Sequence, residues 1–170
     1  MRYNAPFGSV VVVSEERKPD PTRIVVDADV LAADLLVGGS ARRTMDVLRT
    51  HSWLELVATD PLLDDAEAII GSLADRELAS AWRGEIETLA IVVDQPPGDH
   101  PALAAAYRGN AAHVVTFEET LRSPEAGANL RGLFDVSVRS PDAFVSVVDP
   151  AAIYELVFEE AYPGPNRDVR

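Results

Sequence analysis

The sequence predicts an α/β fold, a three-layer α/β/α sandwich around a central parallel sheet of four to five strands. Three observations predict it. Short β-branched runs recur along the chain, longer helical patterns separate them, and Gly, Pro, Ser, Thr and Asp stand at the junctions. Short continuous apolar runs are what strands need when both faces of a sheet are covered. Their alternation with helices implies parallel pairing. At 170 residues the chain fits one domain with short extensions.

Residues 1–22 read as an N-terminal extension, set apart by Pro19, Pro21 and a charged stretch. Residues 10–13, four valines, are either an edge strand or part of a loosely held tail. The main domain is expected over 23–160. The first strand is residues 23–27, RIVVD, a β-branched run that ends in an acid. Helices are predicted over 29–37 and 41–50, divided by Gly38 and Gly39, with Ser40 as N-cap. Residues 54–58 form the second strand, and Thr59 or Asp60 caps the next helix, with Pro61 in its first turn. That helix runs to Leu73, and another spans 75–89. Strands follow at 91–93 and 112–116, separated by a helix over 101–108 that Gly109 ends. A short helix near 125–132 and a fifth strand at 135–138 come next. Ser140 and Pro141 open a closing helix, and Asp149 and Pro150 start another or kink the first. The tail, 161–170, is Pro/Gly-rich from Pro163 and is expected to fray.

Composition excludes several function classes. There is no cysteine, which rules out disulfides, thiolate zinc sites and cysteine nucleophiles and fits a reducing, cytoplasmic setting. No apolar run approaches the roughly 18 residues of a membrane span, so no membrane association is expected. Net charge is −13, and Lys18 is the only lysine among 15 basic residues. A basic nucleic-acid footprint is missing. Acidic excess with arginine in place of lysine suits a salt-adapted host, where charges more than ~3 Å apart are screened in molar salt. On that reading the net charge says little about substrate.

In parallel sheets function gathers at the carboxyl ends of strands. Acids stand there in this chain: Asp27 ends the first strand, Asp65 lies in the helix after the second, Asp99 follows the third, and Glu118 follows the fourth. Helix capping or a helix dipole accounts for each acid singly. Four at successive strand ends are more than capping requires. Close carboxylates repel, and a hard cation with oxygen ligands, Mg²⁺ or Mn²⁺, removes the conflict. On its helix Asp65 borders the apolar stripe of Leu62, Leu63, Ala66, Ile69 and Ile70, whereas Asp64 and Glu67 point to solvent. His100 and His113 lack ligand spacing and read as non-catalytic.

Five segments, in this order, resemble the PIN-domain nucleases. VVDADVL (25–31) is similar to that family's hydrophobic-D-x-N-x-L opening, and TDPLLDDA (59–66) to its Ser/Thr-to-acid helix start. GDHPALAAA (98–106) is similar to its D-N-P-x-L-x-x-A stretch, VVTFEETL (114–121) to its V-T-x-D segment, and VRSPDAF (138–144) to its closing strand and S/T-P-x-x-F. The likeness covers about 23–145. Three positions depart from it: Asp29 stands where asparagine is common, Asp65 replaces glutamate and Glu118 replaces aspartate.

The resemblance implies metal-dependent hydrolysis of phosphodiester bonds in single-stranded RNA, as in toxins or RNA-processing endonucleases. Asp27, Asp99 and Glu118 would be metal ligands, Asp65 would complete the catalytic cluster, and Thr116 would orient a water or Glu118. Arg42 and Arg43 would contact phosphates, although a solvated helix face explains them equally. Implied partners are the RNA, an antitoxin or other protein, and a second copy of the chain through the apolar stripe after residue 140. The two carboxylate swaps motivate a second reading, a catalytically weakened module that acts by protein or RNA binding. A haloacid-dehalogenase-type phosphatase, suggested by DADVL, would need a downstream lysine, and Lys18 lies upstream.

Overall fold

The structure, a computed structural model, describes residues 18–95, 100–123 and 135–169. The first half holds β1 (Asp20–Val26), α1 (Ala28–Leu36), α2 (Gly39–Thr50), β2 (Glu55–Ala58), α3 (Asp60–Leu73), α4 (Arg76–Leu89) and β3 (Ala90–Val92). The second holds α5 (Pro101–Gly109), β4 (Ala111–Val115), α6 (Glu119–Arg122), β5 (Ser137–Arg139), α7 (Pro141–Val147) and α8 (Pro150–Phe158). The five strands form one sheet, all parallel, in the order β3-β2-β1-β4-β5. Ile24, Val25 and Val26 are all fully buried, as are Val114 and Val115. Successive strand side chains point to opposite faces, so both faces of the sheet are covered. The architecture is the three-layer α/β/α sandwich that the sequence predicts.

Most helix starts are the predicted ones. Thr59 Oγ1 accepts from Leu62 N at 3.2 Å, and Ser140 Oγ accepts from Ala143 N at 3.2 Å. Asp149 Oδ1 accepts from Ala151 N, so the Asp149–Pro150 step begins a separate helix and does not kink α7. The expected cap at Ser40 is a correction. α2 begins at Gly39, with Gly38 at the cap (φ 90°) and no side-chain bond there. The reversal from α1 needs left-handed backbone at Gly38 and Gly39, which glycine adopts without strain, and this places Ser40 inside the helix.

β1 begins at Asp20, earlier than the predicted 23. Asp20 N donates to Asn110 O at 2.8 Å, and the Asp20 carboxylate takes Thr22 N and Oγ1. The β1–β4 register shifts between Asp20 and Ile24, around Pro21, which has no N–H for a ladder. Residues 20–22, which the sequence places in the extension, are therefore part of the first strand. The four valines at 10–13 and the helix near 125–132 lie outside the described residues, and the short α6 has no counterpart in the sequence prediction.

The tail is the second correction. Asn166 N and Arg167 N donate to Thr50 O, and Arg167 Nη2 donates to Leu48 O and His51 O. These are carbonyls that the end of α2 leaves without intrahelical partners. Tyr162 stacks on His51 and bonds its ring nitrogen, so the tail expected to fray is held by the domain. The apolar stripe after 140 divides: Phe144 enters the core, whereas Val147 and Leu156 face solvent.

α5 crosses the sheet and ends against β2. A Cβ on Gly109 would lie 2.3 Å from Val57 Cγ1, and that β-branched side chain sits in a closed core with little freedom to turn. Gly109→Ala should lower stability by about 1–3 kcal/mol, read as a lower urea midpoint at unchanged slope. Combining it with Val57→Ala should cost less than the sum of the two single changes. An additive double variant would show that the two residues do not meet.

A candidate metal centre at the switch point

The chain winds outward from β1 through β2 to β3, then returns across the sheet to β4 on the other side of β1. In such sheets the gap beyond the carboxyl ends of the two diverging strands is a crevice. Here it lies between the ends of β1 and β4. Asp27 leaves β1 at the N-cap of α1, and Thr116 and Glu118 follow β4.

Asp27 is buried, with both carboxylate oxygens held. Oδ1 accepts from Ala28 N at 2.8 Å, which caps α1, and Oδ2 accepts from Thr116 Oγ1 at 2.7 Å. The same hydroxyl oxygen accepts from Glu118 N at 3.0 Å. Thr116 is completely buried, and its backbone N–H donates to Arg139 O of β5. One side chain thus sets the spacing of the acids from both strands.

His100 enters the same space from the start of α5. Its Nδ1 accepts from Ala102 N at 3.2 Å, and its Nε2 lies 3.1 Å from Glu118 Oε2. Asp27, His100 and Glu118 each bring one ligand atom to within 4.8 Å of the others. The cleft, ≈ 340 Å³, is lined by these three with Asp29, Asp65, Ala68 and Ile69. Among the described residues its lining includes no lysine or arginine.

Asp29 is half-buried in the first turn of α1, and its Oδ1 is enclosed with no hydrogen-bond donor among the described residues. Burial pushes its pKa up to about 6, as do the Asp27 carboxylate and, more weakly, Glu118. Backbone N–H groups of Val30 and Phe117 oppose the rise. An enclosed oxygen without a donor, beside two further carboxylates, is a donor set that a cation would satisfy.

The predicted site residues divide into three groups. Asp27, Thr116 and Glu118 come together, and Asp65 lines the same cleft from α3, on the exposed side. Asp99 lies outside the described residues. Arg42 and Arg43 are elsewhere. Arg42 donates to the backbone carbonyl of Asp34 and, at 2.8 Å, to its Oδ1, while Arg43 lies 3.7 Å from Asp142 on the surface. Asp34 is a buried acid on α1, and it holds Arg42 and Arg49 together. Asp64 and Glu67 share Arg83. His113, which burial and then Arg139 lower to a pKa of about 4, packs edge-on against Phe144 away from the cleft. His100, expected to be non-catalytic, stands in the cleft beside Glu118, a placement that sequence reasoning did not give. Its one legible signal was its place between Asp99 and a proline-started helix.

Fold and site together define a doubly wound α/β protein with a carboxylate cleft at the switch point of its sheet. The chain belongs to DUF7384, a family of unknown function, which matches residues 18–170. No curated protein and no solved structure matches it.

The raised Asp29 pKa has a definite sign for stability. The folded chain keeps this proton over a pH range in which the unfolded chain has lost it. Its contribution to folding is therefore complete below about pH 3.8 and is lost as pH rises through about 6. In chelator, Asp29→Asn should melt higher than the wild type at pH 7 and show a shallower loss of stability between those two pH values. Identical pH–melting curves for the two proteins would mean that Asp29 is not strained by its neighbours.

Proposed function

We propose that this protein is a divalent-metal-dependent endoribonuclease that hydrolyses phosphodiester bonds in single-stranded RNA. The observation that carries the reading is the convergence of Asp27 and Glu118, with His100, at the switch point. Asp27 and Glu118 would hold Mg²⁺ or Mn²⁺, and Asp65 and Asp29 line the same cleft. The resemblance of five ordered segments to PIN-domain nucleases supports the same reading.

Electrostatics supports it independently. An RNA phosphodiester is anionic, and the described lining of the cleft includes four carboxylates and no arginine or lysine. Without a cation, substrate and site repel each other. When bound, a divalent cation supplies Lewis acidity, activation of water and neutralisation of the charge that grows on the phosphoryl group. The residues of the chain provide the rest. Thr116 donates its hydroxyl to Asp27 and accepts from the backbone N–H of Glu118, so the Asp27 carboxylate does not have to reorganise when substrate arrives. Asp65, exposed on α3, faces the cleft where it can orient a water.

Asp27→Asn is the sharpest test. Asparagine keeps an oxygen for Ala28 N, so the α1 cap survives while the charge is lost. Cleavage of a single-stranded RNA in Mn²⁺ should fall by more than about 100-fold, while melting in chelator stays cooperative at a midpoint lowered by the bond that the amide nitrogen cannot accept from Thr116 Oγ1. Undiminished cleavage would remove the nuclease assignment. Mn²⁺ binding without cleavage by the wild type would favour the module that acts by binding.

A further inference from the structure

We propose that His100 is a positioning residue: it donates from Nε2 to Glu118 Oε2, holds that side chain in one rotamer and leaves Oε1 for the cation. The inference rests on the metal-centre reading above and deepens it.

The backbone of α5 decides which ring nitrogen carries the proton. Ala102 N–H points at Nδ1 from 3.2 Å, so Nδ1 must present its lone pair. A neutral imidazole with an unprotonated Nδ1 carries its hydrogen on Nε2. Nε2 is the atom that lies 3.1 Å from Glu118 Oε2, and the bond therefore runs from ring to carboxylate. Direct ligation of a cation by Nε2 would move the proton to Nδ1, where it would face the Ala102 N–H donor. The first turn of α5 would then lose its cap.

Glu118 needs such a restraint. Its backbone N–H is tied to Thr116, but its side chain is half-exposed and has three rotatable bonds. His100 Nε2 stands at hydrogen-bonding distance from one of the Glu118 carboxylate oxygens. A carboxylate that ligates a cation is oriented by the bond its other oxygen accepts, and loss of such a partner typically costs 10–100-fold in metal affinity. The cap of one helix thus fixes a tautomer, and the tautomer aims an acid carried by the loop after a neighbouring strand.

The test has two parts on the full-length chain. Long-range ¹H–¹⁵N correlation spectra of the ion-free protein, with His100→Gln to assign the signals, should show the proton of His100 on Nε2. A proton on Nδ1 would overturn the proposal by itself. Calorimetric titration with Mn²⁺ should then show an affinity about 10–100-fold weaker for His100→Asn. Asparagine keeps an acceptor for Ala102 N but falls short of Glu118. His100→Gln, whose amide N–H reaches about where Nε2 does, should recover most of the affinity. In a Glu118→Ala background His100→Asn should cost nothing further. A loss that glutamine does not recover, or one that persists in that background, would overturn the positioning role. So would a ¹⁴N coupling in the electron paramagnetic resonance of the Mn²⁺ complex, which would make His100 a ligand. If the wild type binds no Mn²⁺ while the Nε2 proton is in place, the metal reading fails and takes the role of Oε1 with it; a reversed tautomer sinks the histidine–glutamate bond alone.

Discussion

Thr116 Oγ1 donates to Asp27 Oδ2 across the gap where β1 and β4 part, and accepts from Glu118 N on its other side. The two strands are adjacent in the sheet but separated in sequence by β2, β3 and five helices. With Thr116 wholly buried, this link exchanges no partner with water. An aliphatic residue of similar size in its place would leave a buried carboxylate oxygen without a donor, which costs more than the bond itself contributes. The crevice has its shape because this pair of strand ends is joined by side chains as well as by the ladder.

The chain carries a net charge of −13, yet it places its arginines with care. Asp34 is buried in α1 and is met by Arg42 and Arg49 from α2. Removing one partner from a buried pair typically costs about 3–5 kcal/mol, because the other charge is left uncompensated. Arg83 gathers Asp60, Asp64, Glu67 and Glu87, which ties α3 to α4. Both clusters spend their cations on architecture. The switch-point cleft has acids and, among its described lining residues, no such arginine.

Much of the fold was legible because its signals are local. RIVVD reads as a buried strand from its β-branching alone, and Thr59, Ser140 and Asp149 cap helices by bonds to residues two or three positions away. Asp27 and Thr116 were legible as strand-end residues. What the sequence hid is nonlocal or depends on backbone handedness. His100 meets Glu118 only after β4 has been laid beside β1, and no ligand spacing announces a partner 18 residues on. Arg42 looked available for phosphate because its acid lies across the Gly38–Gly39 reversal, which also moved the helix start away from Ser40. The tail offered only Pro and Gly to local reading, while its partners are carbonyls at the end of α2.

Those carbonyls give the last residues a part in how the molecule opens. Asn166 and Arg167 close the end of the helix that also carries Arg42 and Arg49, the cations that neutralise buried Asp34. Peeling the tail away bares the last turn of α2, and fraying of that turn reaches Arg49 first. Tail, α2 and the Asp34 cluster are thus joined through one helix end, the arrangement from which a cooperative opening unit is built.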